Sequence, residues 1–105
     1  MSDGERPEVE GRAFDAIDPK LTVFALANGM DLTKQGGYRR LEWFTDGLER
    51  GIVIETGPGG VYSVAVSAWP YGGEEATHRA TVAEGIEASG IVDVLGSAIE
   101  KANGL

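Results

Sequence analysis

Few side chains in this sequence could do chemistry near neutral pH, and their spacing limits each reading. His78 is the one histidine, with Glu74, Glu75 and Arg79 close by in sequence. General acid–base work needs an imidazole beside a second positioned group in a pocket, and linear sequence supplies neither, so His78 reads better as a surface histidine. Ser63 and Ser67 share one side of a strand-like pattern, but neither stands in a Gly-x-Ser-x-Gly elbow. Thr56-Gly57-Pro58-Gly59-Gly60 offers consecutive backbone N–H groups to an anion. A phosphate loop runs into a helix and carries a Lys and a Ser or Thr, whereas this segment runs into the alternating stretch from Val61 to Trp69 and reads as a hairpin connection. The pair Glu74-Glu75 lacks the looped alternation of oxygen ligands that a calcium site needs and reads as a solvated acidic face. Cysteine is absent, which removes thiol catalysis, disulfides and cysteine-ligated metal sites. These residues point away from an enzyme, and no metal or other cofactor is expected.

The aromatic residues say more. Trp43 and Phe44 are neighbours in a strand-like segment, so their side chains leave opposite faces, and a single buried face cannot take both. Trp69 falls at a strand end, and Tyr62 shares its strand. An exposed row of Tyr38, Phe44 and Tyr62 flanked by Arg39, Arg40 and Arg50 would make a binding platform, because aromatic and Arg side chains dominate interface energetics. The competing expectation is that one helix covers each face of the sheet and leaves no platform. The candidate binding residues are accordingly Trp43, Phe44, Tyr62, Trp69, Arg39 and Arg40.

Composition narrows the partner. The chain has 105 residues with nine Lys plus Arg against 17 Asp plus Glu, a formal charge of −8. Nucleic acid and anionic membrane surfaces reward clustered basic residues, and only Arg39 and Arg40 are adjacent here, so neither is expected. The polar start MSDGERPEVEG shows no charged-then-apolar signal segment and no apolar run approaches a membrane span, so a cytoplasmic location is expected. Scarce lysine with excess acid suits a salt-rich cytoplasm, although acidic surfaces also serve solubility alone.

The elements that must position these side chains follow from periodicity. Residues 1–12 bury almost nothing and read as a flexible acidic tail, leaving 13–105 as one domain. Asp18-Pro19 suits a helix start with Asp18 as cap, Leu21, Phe24, Ala25 and Met30 keep helical spacing, and Asn28-Gly29 is a left-handed stop. The same pair would also suit a hairpin. Gln35-Gly36-Gly37 reads as a loop. From Tyr38 the period is two: Leu41 and Trp43 face one way and Tyr38, Glu42 and Phe44 the other. Beyond the turn signal Asp46-Gly47, Leu48, Ile52 and Ile54 oppose Glu49, Val53 and Glu55, and Tyr62, Val64, Val66 and Ala68 then oppose Ser63, Ala65, Ser67 and Trp69. Pro70-Tyr71-Gly72-Gly73 ends that strand. Residues 74–87 fit either a kinked helix or a fourth strand ending near Gly85, with the strand preferred. Ile91, Val94, Leu95, Ala98, Ile99 and Ala102 mark one face of a closing helix, with Ser89 as N-cap and Asn103-Gly104 as stop.

The fold class predicted is α+β: a single domain whose antiparallel three- or four-stranded meander packs on helix, in the order α-β-β-β-(β)-α. Leu41, Trp43, Ile52, Ile54, Val64 and Val66 are expected to bury against Ile91, Leu95 and Ile99. Helix, three strands, helix is also the order of the double-stranded-RNA-binding domain, but the stretch matching that family's basic patch is the acidic Glu74–Arg79. In size, charge and element order alone, with no shared motif, the chain resembles type III secretion chaperones and bacterial immunity proteins. The function expected is a small acidic protein-interaction module, adaptor-, chaperone- or immunity-like, whose partner is another protein or a second copy in a homodimer. The alternative is a small-molecule-binding domain or small enzyme with a pocket between sheet and helix, on which His78, Arg39, Arg40 and Glu side chains converge.

Overall fold

The computed structural model describes residues 13–45, 47–70 and 78–105. Helix α1 (Asp18–Asn28) leads into five strands, β1 (Asp31–Gln35), β2 (Tyr38–Thr45), β3 (Leu48–Thr56), β4 (Tyr62–Pro70) and β5 (His78–Ile86), and helix α2 (Ile91–Asn103) closes the chain. The strands form one antiparallel sheet in sequence order. The α+β class and the helix-first, helix-last order are as expected. The strand count is five, because the segment preferred as a fourth strand pairs along β4 and a further strand, β1, precedes β2. The expected tail, Asp46, and the acidic pair Glu74-Glu75 lie outside the described residues.

Two local expectations change with β1. Gly29 takes φ +65° and stops α1, so Met30 leaves the helix with its N–H bonded to the Ala25 carbonyl at 2.9 Å. Gly36-Gly37 is the two-residue turn of a hairpin, since Gln35 pairs with Tyr38. The expected caps are also corrected. Ile17 occupies the N-cap of α1, which frees the Asp18 carboxylate for another task, and Gly90, with no side chain to bond, stands where Ser89 was expected.

Alternation decides what is buried. Leu41, Ile52, Ile54, Val64 and Val66 all leave one face of the sheet and are sealed from water. Against them pack Leu21 and Ala25 of α1, the preceding Phe14 and Ile17, and Ile91, Leu95, Ala98 and Ala102 of α2, in a single cluster. Trp43 and Ile99, expected in that core, are half-buried at its margin. Both helices therefore cover the same face. On the opposite face of β2, β3 and β4, Gly51 alone is buried. Among the described residues no helix is long and apolar enough to cross a membrane.

Two arginines on the covered face fix the helices to the sheet. Arg39 is 5% exposed. Its Nε donates to Asp18 Oδ1 at 2.8 Å and Nη2 to Asp18 Oδ2 at 3.1 Å, while Nη1 donates to the Tyr38 and Gln35 carbonyls. The guanidinium lies 4.2 Å from the centroid of the Phe14 ring. A buried charge is tolerable only when paired and hydrogen-bonded, and Arg39 meets both conditions while its acceptor stands in the first turn of α1, where a carboxylate is favoured. Arg50, 3% exposed, donates through Nη1 to the Ala102 carbonyl in the last turn of α2, the end at which a cation is favoured.

These neighbours in sequence have opposite fates, which gives a test. Arg39→Ala leaves Asp18 unpaired and should lower unfolding free energy by about 3 kcal/mol in urea titrations. Arg40→Ala, on the open face, should change it by about 0.5 kcal/mol or less. Equal effects would contradict the assignment of Arg39 to the core.

Candidate functional site

The six residues singled out by sequence divide between the two faces. Trp43, Tyr62 and Arg39 lie on the covered face. Trp43 donates from Nε1 to Asn103 Oδ1 at 3.2 Å. Tyr62 is 4% exposed, packs its ring 6.0 Å from that of Phe14 and donates its hydroxyl to the Ala13 carbonyl at 2.6 Å. Phe44, Trp69 and Arg40 lie on the open face. Phe44 is 51% exposed, and the Arg40 guanidinium sits 5.4 Å from the Tyr38 ring centroid and 3.7 Å from Glu42. The row expected from Tyr38, Phe44, Tyr62, Arg39, Arg40 and Arg50 therefore does not form as composed. Tyr62 shares its face with Val64 and Val66 and follows them into the core, and the two buried arginines go the same way.

The strand registers lay out the open face as rows. One row holds Thr33, Arg40, Val53, Ala65 and Thr81, and the next holds Asp31, Glu42, Gly51, Ser67 and Arg79. Toward one end lie Phe44, Glu49 and Trp69, and toward the other Gln35, Tyr38, Glu55 and Ser63. The middle of the face is built from small side chains with large ones around it, and the result is a trough of about 580 Å³ floored by Val53, Ala65 and Ser67 and bounded by Arg40, Glu55, Trp69 and Arg79. Gly51 is what lets Trp69 lie flat: a Cβ built there would stand 3.2 Å from Trp69 Cη2 and 3.4 Å from Cζ3. The indole thus covers backbone that a side chain would otherwise cover.

Sequence reasoning missed Gly51, Val53, Ala65 and Arg79 as parts of one surface. The signal was the run of small residues on the solvent parity of β3 and β4, where long polar side chains are the norm. Of the pocket expected between sheet and helix, with His78, Arg39, Arg40 and Glu side chains converging on it, the described surface shows a depression between β5 and α2 that none of these residues lines. The larger concavity lies on the opposite face, and this depression, of about 260 Å³, is lined by Val82, Ala83, Asp93, Val94 and Ser97. Arg39 and Arg40 cannot converge, since adjacent strand residues leave opposite faces. The glycine-rich segment is the β3–β4 hairpin connection, a short 3₁₀ turn over Pro58–Gly60 with positive φ at Gly59 and Gly60. Among the described residues no three His, Asp or Glu side chains gather as a metal site.

Among the described residues, Tyr62 is the titratable group whose acidity the fold visibly changes. Burial raises its pKa above the ordinary value, and the carboxylates of Asp18 and Asp15 raise it further. A folded-state pKa above the unfolded one means that the unfolded chain releases its proton first. The stabilisation is whole below about pH 10 and declines as pH rises beyond it.

Two measurements check this geometry. Tyr62→Phe should cost about 1 kcal/mol at neutral pH, through the lost hydrogen bond, and make the alkaline fall in stability shallower. In a Trp43→Phe background, Gly51→Val should lift the Trp69 ring and shift its emission to the red with the far-ultraviolet circular dichroism unchanged; an unshifted spectrum would contradict the stacked indole. No family model, no curated protein and no solved structure is significantly similar to this chain, so its own geometry carries any functional reading.

Proposed function

We propose that this chain is a small acidic cytoplasmic protein-interaction module that receives its partner on the open face of the sheet. The observation that carries this reading is the half-exposed Phe44 in one row with Trp69, two strands apart across Glu49, on a sheet face that neither helix covers. Two aromatic side chains at the edge of a small-residue floor, Phe44 on β2 and Trp69 on β4, give a partner apolar surface to bury, with Arg40, Arg79 and the Glu side chains of the face to fix orientation. The excess negative charge steers encounter, most strongly toward partners carrying basic residues.

The face suits this task better than the sheet edges do. Edge strand β1 is five residues long, and edge strand β5 is interrupted by two shifts of register, one of them at Gly85 with φ +66°. Short and bulged edges discourage strand addition. The trough favours a second reading, in which Arg40 and Arg79 hold an anionic small molecule over Val53 and Ala65; its volume falls within the usual range for ligand sites, about 300 to 1,000 Å³.

Placing a photo-crosslinking phenylalanine at position 44, and separately at position 26 on the exposed face of α1, tests the main reading. Stoichiometric protein adducts are expected from position 44 and none from position 26. Adducts from 26 alone, or a partner whose affinity survives Phe44→Ala undiminished in a folded protein, would contradict it; the expected loss is about tenfold or more. Thermal stabilisation by a small anion that requires Arg40 and Arg79 would favour the second reading.

A further inference from the structure

The registers of the open face go further than a generic docking surface. We infer that the partner is a second copy of this chain, packed face to face about a two-fold axis running along β3. This rests on the reading of the open face as the docking surface.

The argument starts from strand order. A five-stranded sheet in sequence order has β3 in its middle, with β2 and β4 one strand away and β1 and β5 two away. A two-fold axis along β3 exchanges β1 with β5 and β2 with β4 and leaves each row where it was. In the row Asp31, Glu42, Gly51, Ser67, Arg79, the exchange sets Asp31 of one copy over Arg79 of the other and Glu42 over the Ser67 hydroxyl. Asp31 and Arg79 are exposed, and neither has an ion-pair partner among the described residues. In the row Phe44, Glu49, Trp69, the exchange sets Phe44 over Trp69. In the row Thr33, Arg40, Val53, Ala65, Thr81, it sets Val53 on its own copy and Arg40 over Ala65. Each of these contacts except Val53 on itself occurs twice, as an isologous interface requires.

Size and shape agree with this. Strands about 4.8 Å apart and about 3.3 Å long per residue make a face of roughly 650 Å². Two such faces bury about 1,300 Å² in total, within the range of stable specific interfaces. The small residues Ala65 and Ser67, with the Trp69 indole lying flat over Gly51, permit the approach of about 10 Å that stacked sheets adopt. Glu49 and Glu55 on β3 meet their own copies. They stand toward the two ends of the strand, at the rim of the interface, where water and salt screen them. Like net charges on the two copies oppose association, so added salt should strengthen it.

Sedimentation equilibrium of the full chain at about 0.1 M and 1 M sodium chloride, roughly 10 Å and 3 Å of Debye length, tests this. A doubled mass is expected, reached at lower protein concentration in the higher salt. Asp31→Arg and Arg79→Asp should each raise the dissociation constant about tenfold in the lower salt. The double variant Asp31→Arg/Arg79→Asp should restore it, and Asp93→Arg on the exposed side of α2 should leave it unchanged. A monomer under all conditions, or a double variant as weak as the single ones, would overturn the inference. A monomer that still crosslinks another protein through position 44 would overturn the second copy while leaving the docking face in place. A dimer indifferent to both Phe44→Ala and the charge exchange would overturn the docking face as well.

Discussion

Two helices cover one face of a five-stranded sheet and no more. Five strands at about 4.8 Å make a layer roughly 24 Å wide, and a packed helix covers about 10 Å of it. Everything else in the molecule follows from where those two helices went. Phe14, Ile17, Leu21 and Ala25 from the first third of the chain, and Ile91, Leu95, Ala98 and Ala102 from the last, meet in one cluster on one side of the sheet. The other side keeps its solvent parity, yet along β3 and β4 it carries Gly51, Val53, Ala65 and Ser67 in place of the long polar side chains that an exposed sheet face normally wears. That uncovered face, with small and apolar residues at its middle and charged ones around them, is what the proposed docking rests on.

The buried arginines explain why both helices stay on that side. Arg39 reaches from β2 to the first turn of α1, and Arg50 reaches from β3 to the last turn of α2. Arg50 meets the helix end whose dipole favours a cation, whereas at the first turn of α1 the dipole favours not Arg39 but its partner, the Asp18 carboxylate. Without the Asp18 carboxylate the buried Arg39 guanidinium would cost far more than the pair contributes, so Arg39 acts less as a source of stability than as a penalty on any arrangement that moves α1 away. Arg50 is held by the Ala102 carbonyl and keeps its Nε without a hydrogen-bond partner among the described residues. Arg40, one residue from Arg39, is left on the open face with Tyr38 and Glu42. Strand parity alone separates a structural arginine from one available to a partner.

How much of this was legible in the sequence differs by element. The helical face from Ile91 to Ala102 and the alternation from Tyr62 to Trp69 could be read directly, because each repeats its period often enough to exclude the other. Strand β1 could not: Asp31-Leu32-Thr33-Lys34-Gln35 has one apolar residue, and as an edge strand it needs no more. Tyr62 was placed correctly beside Val64 and Val66 yet assigned to a surface. The alternation already put it in the core, and what was missing was the knowledge that a single face was covered. Asp18 shows the converse limit. Its position suited a cap, and only the tertiary fold brings Arg39 to it, 21 residues away in sequence. The trough was invisible for the same reason, since its floor comes from β3 and β4 and its walls from β2 and β5 as well.

The central claim is that the face carrying Val53 and Ala65 is open in the isolated chain and closed in the working one. The most direct measurement is methyl NMR with a soluble paramagnetic agent, on dilute and on concentrated protein at high salt. The account expects the Val53 and Ala65 methyls to be strongly broadened in dilute solution and protected in concentrated solution, with Val64 and Val66 silent in both. Val53 and Ala65 methyls equally broadened at every concentration, or shielded already in the dilute chain, would contradict it.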